Sequence, residues 1–211
     1  MSEACGVLHK WFNGLKILSF PFDESAIPLN GIYVLFEKGE FSHGVNRIVR
    51  IGTHTGRNQL RSRLRQHFIN ENKDRSIFRK NIGRALLNRD RDPFLGQWER
   101  DLTPHEARVA LSPQTDLEKQ KEVERRVTRY IQGNFSFVVF RVDEKEKRLE
   151  LESKLISTVS LCEECVPSSA WLGLSSPKEK IRESGLWLVN ELYKKPMTDQ
   201  DLEKLRSYLS A

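Results

Sequence analysis

The chain of 211 residues has no apolar run long enough to cross a bilayer, so a membrane-spanning protein is not expected. Residues 1–11 lack a basic stretch followed by an apolar one, and no secretory signal is read there. Cysteine is scarce. Three residues, an odd number, do not make a disulfide framework, and the expectation is a reduced, cytoplasmic protein. There is no Walker loop, no Rossmann fingerprint and no Gly-x-Ser-x-Gly elbow, which argues against the nucleotide-binding and serine-hydrolase chemistries those motifs serve. Repeats, low-complexity tracts and a clear linker are also missing, and one compact α/β (α+β) domain is the simplest account. Cys162-Glu163-Glu164-Cys165 is a lone CxxC. A closed zinc site needs four ligands. Only Cys5 remains and no histidine is near in sequence, so these residues are read as ordinary thiols.

What the chain does have is positive charge. Lysine and arginine number 35 against 29 acidic residues, a formal +6, and the pI is about 9.3. Such an excess speaks to partners rather than fold, and nucleic acid is the usual polyanion.

Element signals follow in order. Asn30-Gly31 marks a turn, and 31–36 and 47–52 read as two strands of an antiparallel hairpin. Asn58 is a candidate N-cap for a helix to about Phe68, whose apolar stripe is Leu60, Leu64 and Phe68. A basic helical stretch, 76–88, is followed by a helix start at Thr103-Pro104 and a charged helix over 116–132. Residues 135–142 form the strongest strand, and a helix is expected over about 148–161. Capping signals predict further helices from Ser176 to about Lys194 and from Thr198. The organisation read from this is an N-terminal extension over 1–30, a core over 31–165 with a helical insertion at about 70–133, and a C-terminal helical segment over 166–211. The core would hold a three-stranded antiparallel sheet. The tryptophans at 98, 171 and 187 read as core.

Four features on this frame carry chemistry. At 100° per residue, Leu149, Leu155, Ile156 and Val159 fall in one stripe, with Glu152 at its middle and Glu150 pointing away. A carboxylate on a buried face is costly unless it is paired or binds a metal. Arg63 and His67, four apart, share the helix face beside the 60/64/68 stripe, while Arg57, Arg61 and Arg65 point more outward. An arginine beside the core can hold a phosphate in a bidentate contact. Tyr33 lies on the first strand, and a phenol accepts a proton where cations favour its ionised form. Arg50-Ile51-Gly52-Thr53-His54 ends the second strand, and His54 could shuttle a proton.

Together these residues resemble a known family. Gly31-Ile32-Tyr33, Arg50-Ile51-Gly52, Gln59 to Leu64 and Leu151-Glu152-Ser153-Lys154-Leu155-Ile156 follow the GIY-YIG nuclease pattern in order, over residues 31–68 and about 135–160. Arg50 stands where the family usually has tyrosine, a replacement also found in some restriction-enzyme members. His67, four residues after Arg63, and the helical insertion likewise resemble that branch. The family often has an asparagine soon after the glutamate helix. None lies between Glu152 and Trp171, and Asn190 is the nearest substitute.

The resemblance implies a DNA endonuclease using one Mg²⁺ (or Mn²⁺). Glu152 would be the metal ligand, Tyr33 the proton acceptor aided by His67 or His54, Arg63 the stabiliser of phosphate charge, and Arg50 a source of positive potential. Arg57, Arg61, Arg65, Arg79, Lys80 and Arg84 would meet DNA phosphates. A palindromic target would imply a homodimer. The alternative is a DNA-binding module on the same fold that has lost catalysis.

Overall fold

Residues 31–52 form the hairpin that the strand signals predict. The computed structural model, which describes residues 2–210, has β2 at Gly31–Ser42 and β3 at Val45–Gly52. The two strands pair antiparallel, with Tyr33 opposite Gly52 and Leu35 opposite Arg50. β4, Phe135–Arg141, pairs antiparallel with β2 on its other side, with Tyr33 opposite Val139. The sheet has a fourth member that the three-stranded expectation lacks. β1, Leu18–Ser19, joins the outer edge of β4, giving the order β1-β4-β2-β3. It is two residues long, too short for any period-2 pattern to reveal it.

β2 is central and buried on both faces, which is why its sequence is a nearly unbroken apolar run. Tyr33 and Leu35 face one layer of helices: α2 (Leu60–Phe68), α3 (Ile77–Arg89) and α6 (Leu117–Asn134). Ile32, Val34 and Phe36 face the other: α1 (Ser2–Asn13), α7 (Lys145–Ser160) and α9 (Asp199–Leu209). α4 (Leu95–Trp98) and α5 (His105–Leu111) complete the insertion, and α8 is Glu179–Ser184.

One irregularity aims a site residue. Leu35 pairs with Arg50 but Phe36 pairs with Ile48, so Val49 is extra and β3 bulges. A bulge re-aims neighbouring side chains. Val49 packs in the Tyr33 layer, and Arg50 contacts Tyr33 and Phe78 there too.

The N-terminal segment is a correction to the sequence reading. It forms α1, which buries Cys5, Leu8, His9 and Phe12 on β3 and α7. Their spacing of three, one and three residues is helical, but two polar-capable side chains hide the stripe. Asn58 also departs from expectation. It adopts φ +58° and its amide donates to Asn30, while the helix starts after Gln59 without a side-chain cap. The helix from Ser176 is cut short, because Gly185 takes a left-handed conformation (φ +66°) at its C-cap. The chain then runs irregularly along β3, where the Trp187 amide donates to Val49 O at 2.8 Å. Trp171 and Trp187 both donate to the buried Glu37 of β2, at 2.7 and 2.8 Å, and Tyr130 of α6 donates to the same carboxyl at 2.6 Å. Insertion and C-terminal segment are thereby pinned to the central strand. All three tryptophans expected in the core are buried.

Candidate active site

The GIY tripeptide opens β2 where the backbones come closest. A Cβ on Gly31 would lie 2.1 Å from Phe140 O of β4, so only glycine allows that pairing. Gly52, opposite Tyr33, is equally constrained. A Cβ there would come 2.2 Å from Tyr33 Oη and 2.4 Å from Cζ. The tyrosine ring lies over the bare glycine, and this fixes where its hydroxyl ends.

Tyr33 Oη sits in a buried chain of hydrogen bonds. Arg50 Nε donates to it at 3.3 Å, and Oη lies 2.8 Å from His67 Nε2 on α2. His67 Nδ1 is 2.8 Å from Ser76 Oγ, which also caps α3 by accepting the Arg79 amide. With Nδ1–H donating to Ser76 Oγ, Nε2 accepts from Tyr33, whose oxygen accepts from Arg50 Nε. Burial holds the His67 pKa well below 6.5, and Arg63, Arg50 and Arg79 add to that effect. His67 is therefore neutral at physiological pH, with one ring nitrogen able to accept a hydrogen bond. Arg50 is buried and, among the described residues, forms no ion pair with a carboxylate. It donates to Trp187 O and stacks 5.2 Å above the Phe78 ring.

Beside this chain lies a polar cleft of about 340 Å³, lined by Thr53, His54, Gln59, Arg63, Gln66 and Glu152 among others. Glu152 comes from α7 and is half-buried. Leu155, Ile156 and Val159 are buried as the stripe predicts, whereas Leu149 is only half-buried and lines the cleft with Glu152, and Leu151, outside that stripe, is buried. The Glu152 Oε1 accepts the Thr53 amide at 3.0 Å. Burial pushes its carboxyl pKa up. The Thr53 amide and the Arg50 guanidinium oppose that shift, and the Glu191 carboxylate reinforces it. Among the described residues no lysine or arginine forms an ion pair with Glu152. Arg63 reaches in from α2, held by Gln66 Oε1 and Arg75 O, both at 3.2 Å.

A family model described as the GIY-YIG domain matches residues 5–211. The chain belongs to the GIY-YIG nuclease family. No curated protein and no solved structure gives a significant match. The match spans α1 and the C-terminal segment as well as the sheet.

The remaining predicted residues separate into two groups. Arg57 and Arg61 line a groove of about 810 Å³ with Arg141, Lys145 and Arg148, and Thr55 lies on both the groove and the Glu152 cleft. Arg65 is exposed on α2 beside Glu24. Arg79, Lys80 and Arg84 turn inward instead. Arg79 is fully buried and paired with Glu124 at 2.7 Å, and Arg84 is paired with Glu99. Lys80 donates to Glu99 O and Asp74. These three charges hold the insertion together and do not form a surface for phosphate. His54 is also committed. Its Nδ1 lies 2.7 Å from Gly56 O and the Gly31 amide points at Nε2, so both nitrogens hold the loop. Burial lowers its pKa. Asn190 is exposed, and its neighbour Glu191 is the residue that approaches α7, accepting from Ser153 Oγ. Arg141, Lys145, Arg148 and Glu191 were missed because they come from a strand end, a helix start and an irregular segment with no shared period.

Proposed function

We propose that this protein is a metal-dependent endonuclease that hydrolyses DNA phosphodiester bonds. The observation that carries the reading is the convergence on one cleft of a glutamate (Glu152) with no ion pair among the described residues and an arginine (Arg63), beside the buried Arg50–Tyr33–His67 chain.

The donor set suits Mg²⁺ or Mn²⁺. Such ions bind through one or two carboxylates, with water and substrate oxygens filling the shell. Glu152 has one oxygen fixed by Thr53 and, among the described residues, no ion pair with a lysine or arginine, and the cleft around it is polar. Bound there, a divalent cation would polarise the scissile phosphate and stabilise the leaving oxygen.

The chain's own residues supply the rest. Arg63 stabilises charge that builds on the phosphate, and in a cleft sheltered from water such a contact is strong. Tyr33 Oη accepts the proton of the attacking water while its own proton passes to neutral His67 Nε2. Arg50 keeps the phenol oxygen in place. Tyr33 is fully buried in the free protein, so this step requires the substrate to open a path to Oη. His54 and Thr53 position the loop that holds Glu152. The groove receives the duplex backbone through Arg57, Arg61 and Lys145, while Arg148, buried and donating to Val142 O and Asp143 O, and Arg141, paired with Asp143, shape its wall.

The test is a panel of supercoiled plasmid and branched DNA, with Mg²⁺ and with EDTA. Cleavage only with metal is expected. Binding without any cleavage on that panel would favour a DNA-binding module that has lost catalysis.

A further inference from the structure

The fold assembles a second cluster, remote from the cleft, from residues scattered along the sequence. Cys5 and His9 lie one helical turn apart on α1. His43 sits at the tip of the β2–β3 hairpin, in the left-handed region (φ +51°). Cys162 and Cys165 flank the turn after α7, closed by the Cys165 amide donating to Cys162 O at 3.3 Å. Cys5, His9, His43 and Cys165 offer ligand atoms all within 4.8 Å of one another.

The spacings match a tetrahedral ion. Zinc–sulfur bonds of about 2.3 Å and zinc–nitrogen bonds of about 2.05 Å imply S···S near 3.8 Å and S···N near 3.6 Å. Cys5 Sγ lies 3.5 Å from Cys165 Sγ. His43 Nε2 is 3.4 Å from Cys162 Sγ and 3.6 Å from Cys165 Sγ.

The surroundings fix which atoms face the centre. His43 turns Nε2 to the sulfurs while its Nδ1 lies 3.2 Å from Glu164 Oε2. A metal-bound imidazole is typically oriented by a carboxylate in this way. Ser42 Oγ lies within donating distance of Cys165 Sγ, at 3.5 Å. His9 competes with Cys162 for the fourth place, its Nδ1 lying 3.5 Å from Cys5 Sγ and its Nε2 3.8 Å from Cys165 Sγ, but both nitrogens are engaged. Nδ1 is 2.9 Å from Cys5 O, and Nε2 accepts the Ile48 amide at 3.1 Å. His9 is thus a wall of the cluster.

We propose that this chain carries a structural zinc ion held by Cys5, His43 Nε2, Cys162 and Cys165. Three thiolates and one imidazole in a tetrahedron select zinc over hard cations such as Mg²⁺. Four protein ligands leave no open position, so the ion clamps rather than catalyses. It ties α1, the hairpin tip and the turn after α7 to one point. Tyr33 and His43 are at opposite ends of β2, roughly 30 Å apart along an extended strand. The site is therefore independent of cleavage at Glu152.

The test is the metal content of the full-length protein, kept reduced, exposed to equimolar Zn²⁺ and desalted. About one zinc per chain is expected in the wild type and in Glu152→Ala, and less than about a tenth in Cys162→Ser and His43→Ala. Substituting Co²⁺ into the wild type reads the ligand set without any mutation. Intense visible bands of tetrahedral thiolate coordination support the assignment, and weak octahedral bands contradict it. A wild type that takes up no zinc with its thiols free overturns the proposal, as does a Cys5–Cys165 disulfide in protein purified without oxidant. Full zinc in Cys162→Ser would overturn the assignment of that ligand.

Discussion

Replacing Tyr33 with phenylalanine separates the proposed chemistry from packing. The ring stays over Gly52 and only Oη is lost. That oxygen has two partners, His67 Nε2 at 2.8 Å and Arg50 Nε at 3.3 Å. Arg50 keeps its bond to Trp187 O and its stacking on Phe78, so its loss is small. His67 Nε2 is left without a donor in a fully buried position. An orphaned buried group costs about 1–3 kcal/mol, or roughly 2–12 °C in Tm for a chain of this size. Cleavage should fall much further, by about 10²- to 10⁴-fold, the usual contribution of a general acid–base group. The assay is single-turnover nicking of supercoiled plasmid at saturating Mg²⁺, with Tm measured on the same preparation. If Tm falls as expected while the rate stays within about threefold of wild type, Tyr33 is a packing residue and the relay is wrong.

Other outcomes follow from the same geometry. Gly52→Ala forces a methyl against the Tyr33 ring, so a loss of about 1–3 kcal/mol is expected together with loss of cleavage, read by thermal melting and nicking. Arg79→Ala strands the buried Glu124 and should cost about 3–5 kcal/mol, without weakening DNA affinity of the folded protein. Arg57→Ala should instead leave Tm unchanged, weaken DNA binding across sequences and lower the salt slope by about one, and Arg61→Ala should do the same to binding with a small loss of Tm because Arg61 Nε also donates to Ile27 O. The pH dependence of stability has a definite sign. An unfolded His67 takes up a proton below about pH 6.5 while the buried, depressed one does not, so its contribution is full above that value and is lost as pH falls below it. Tm should drop between about pH 7 and pH 5, and less steeply in His67→Gln.

Much of the candidate cleft was legible because its residues sit on regular elements. The 3.6-residue period separates Glu152 from Glu150 and Arg63 from Arg65, and the structure turns Glu152 and Arg63 into one cleft while Glu150 and Arg65 stay exposed. Strand alternation places Tyr33 in the layer of α2, where His67 meets it. What failed depends on distance in space. Arg79 and Arg84 read as a basic helix face because nothing in their neighbourhood announces Glu124, 45 residues away, or Glu99. The cysteines read as ordinary thiols because two histidines reach them only after α1 and the hairpin tip are packed together. His54 is identifiable as a loop histidine, but its commitment to Gly56 and Gly31 depends on how the loop closes.

The central claim is that Glu152 is the metal-binding carboxylate of a phosphodiesterase, and one comparison tests it most directly. Wild type and Glu152→Ala are assayed side by side for single-turnover DNA cleavage over a Mg²⁺ titration. Removing this half-buried carboxyl frees only the Thr53 amide, so the fold should stay intact, with unchanged circular dichroism and a Tm lowered by no more than a few degrees. The rate should fall by about a hundredfold or more at every Mg²⁺ concentration. A folded Glu152→Ala protein that cuts as fast as wild type, or a wild type that cuts as fast in EDTA, would contradict the account.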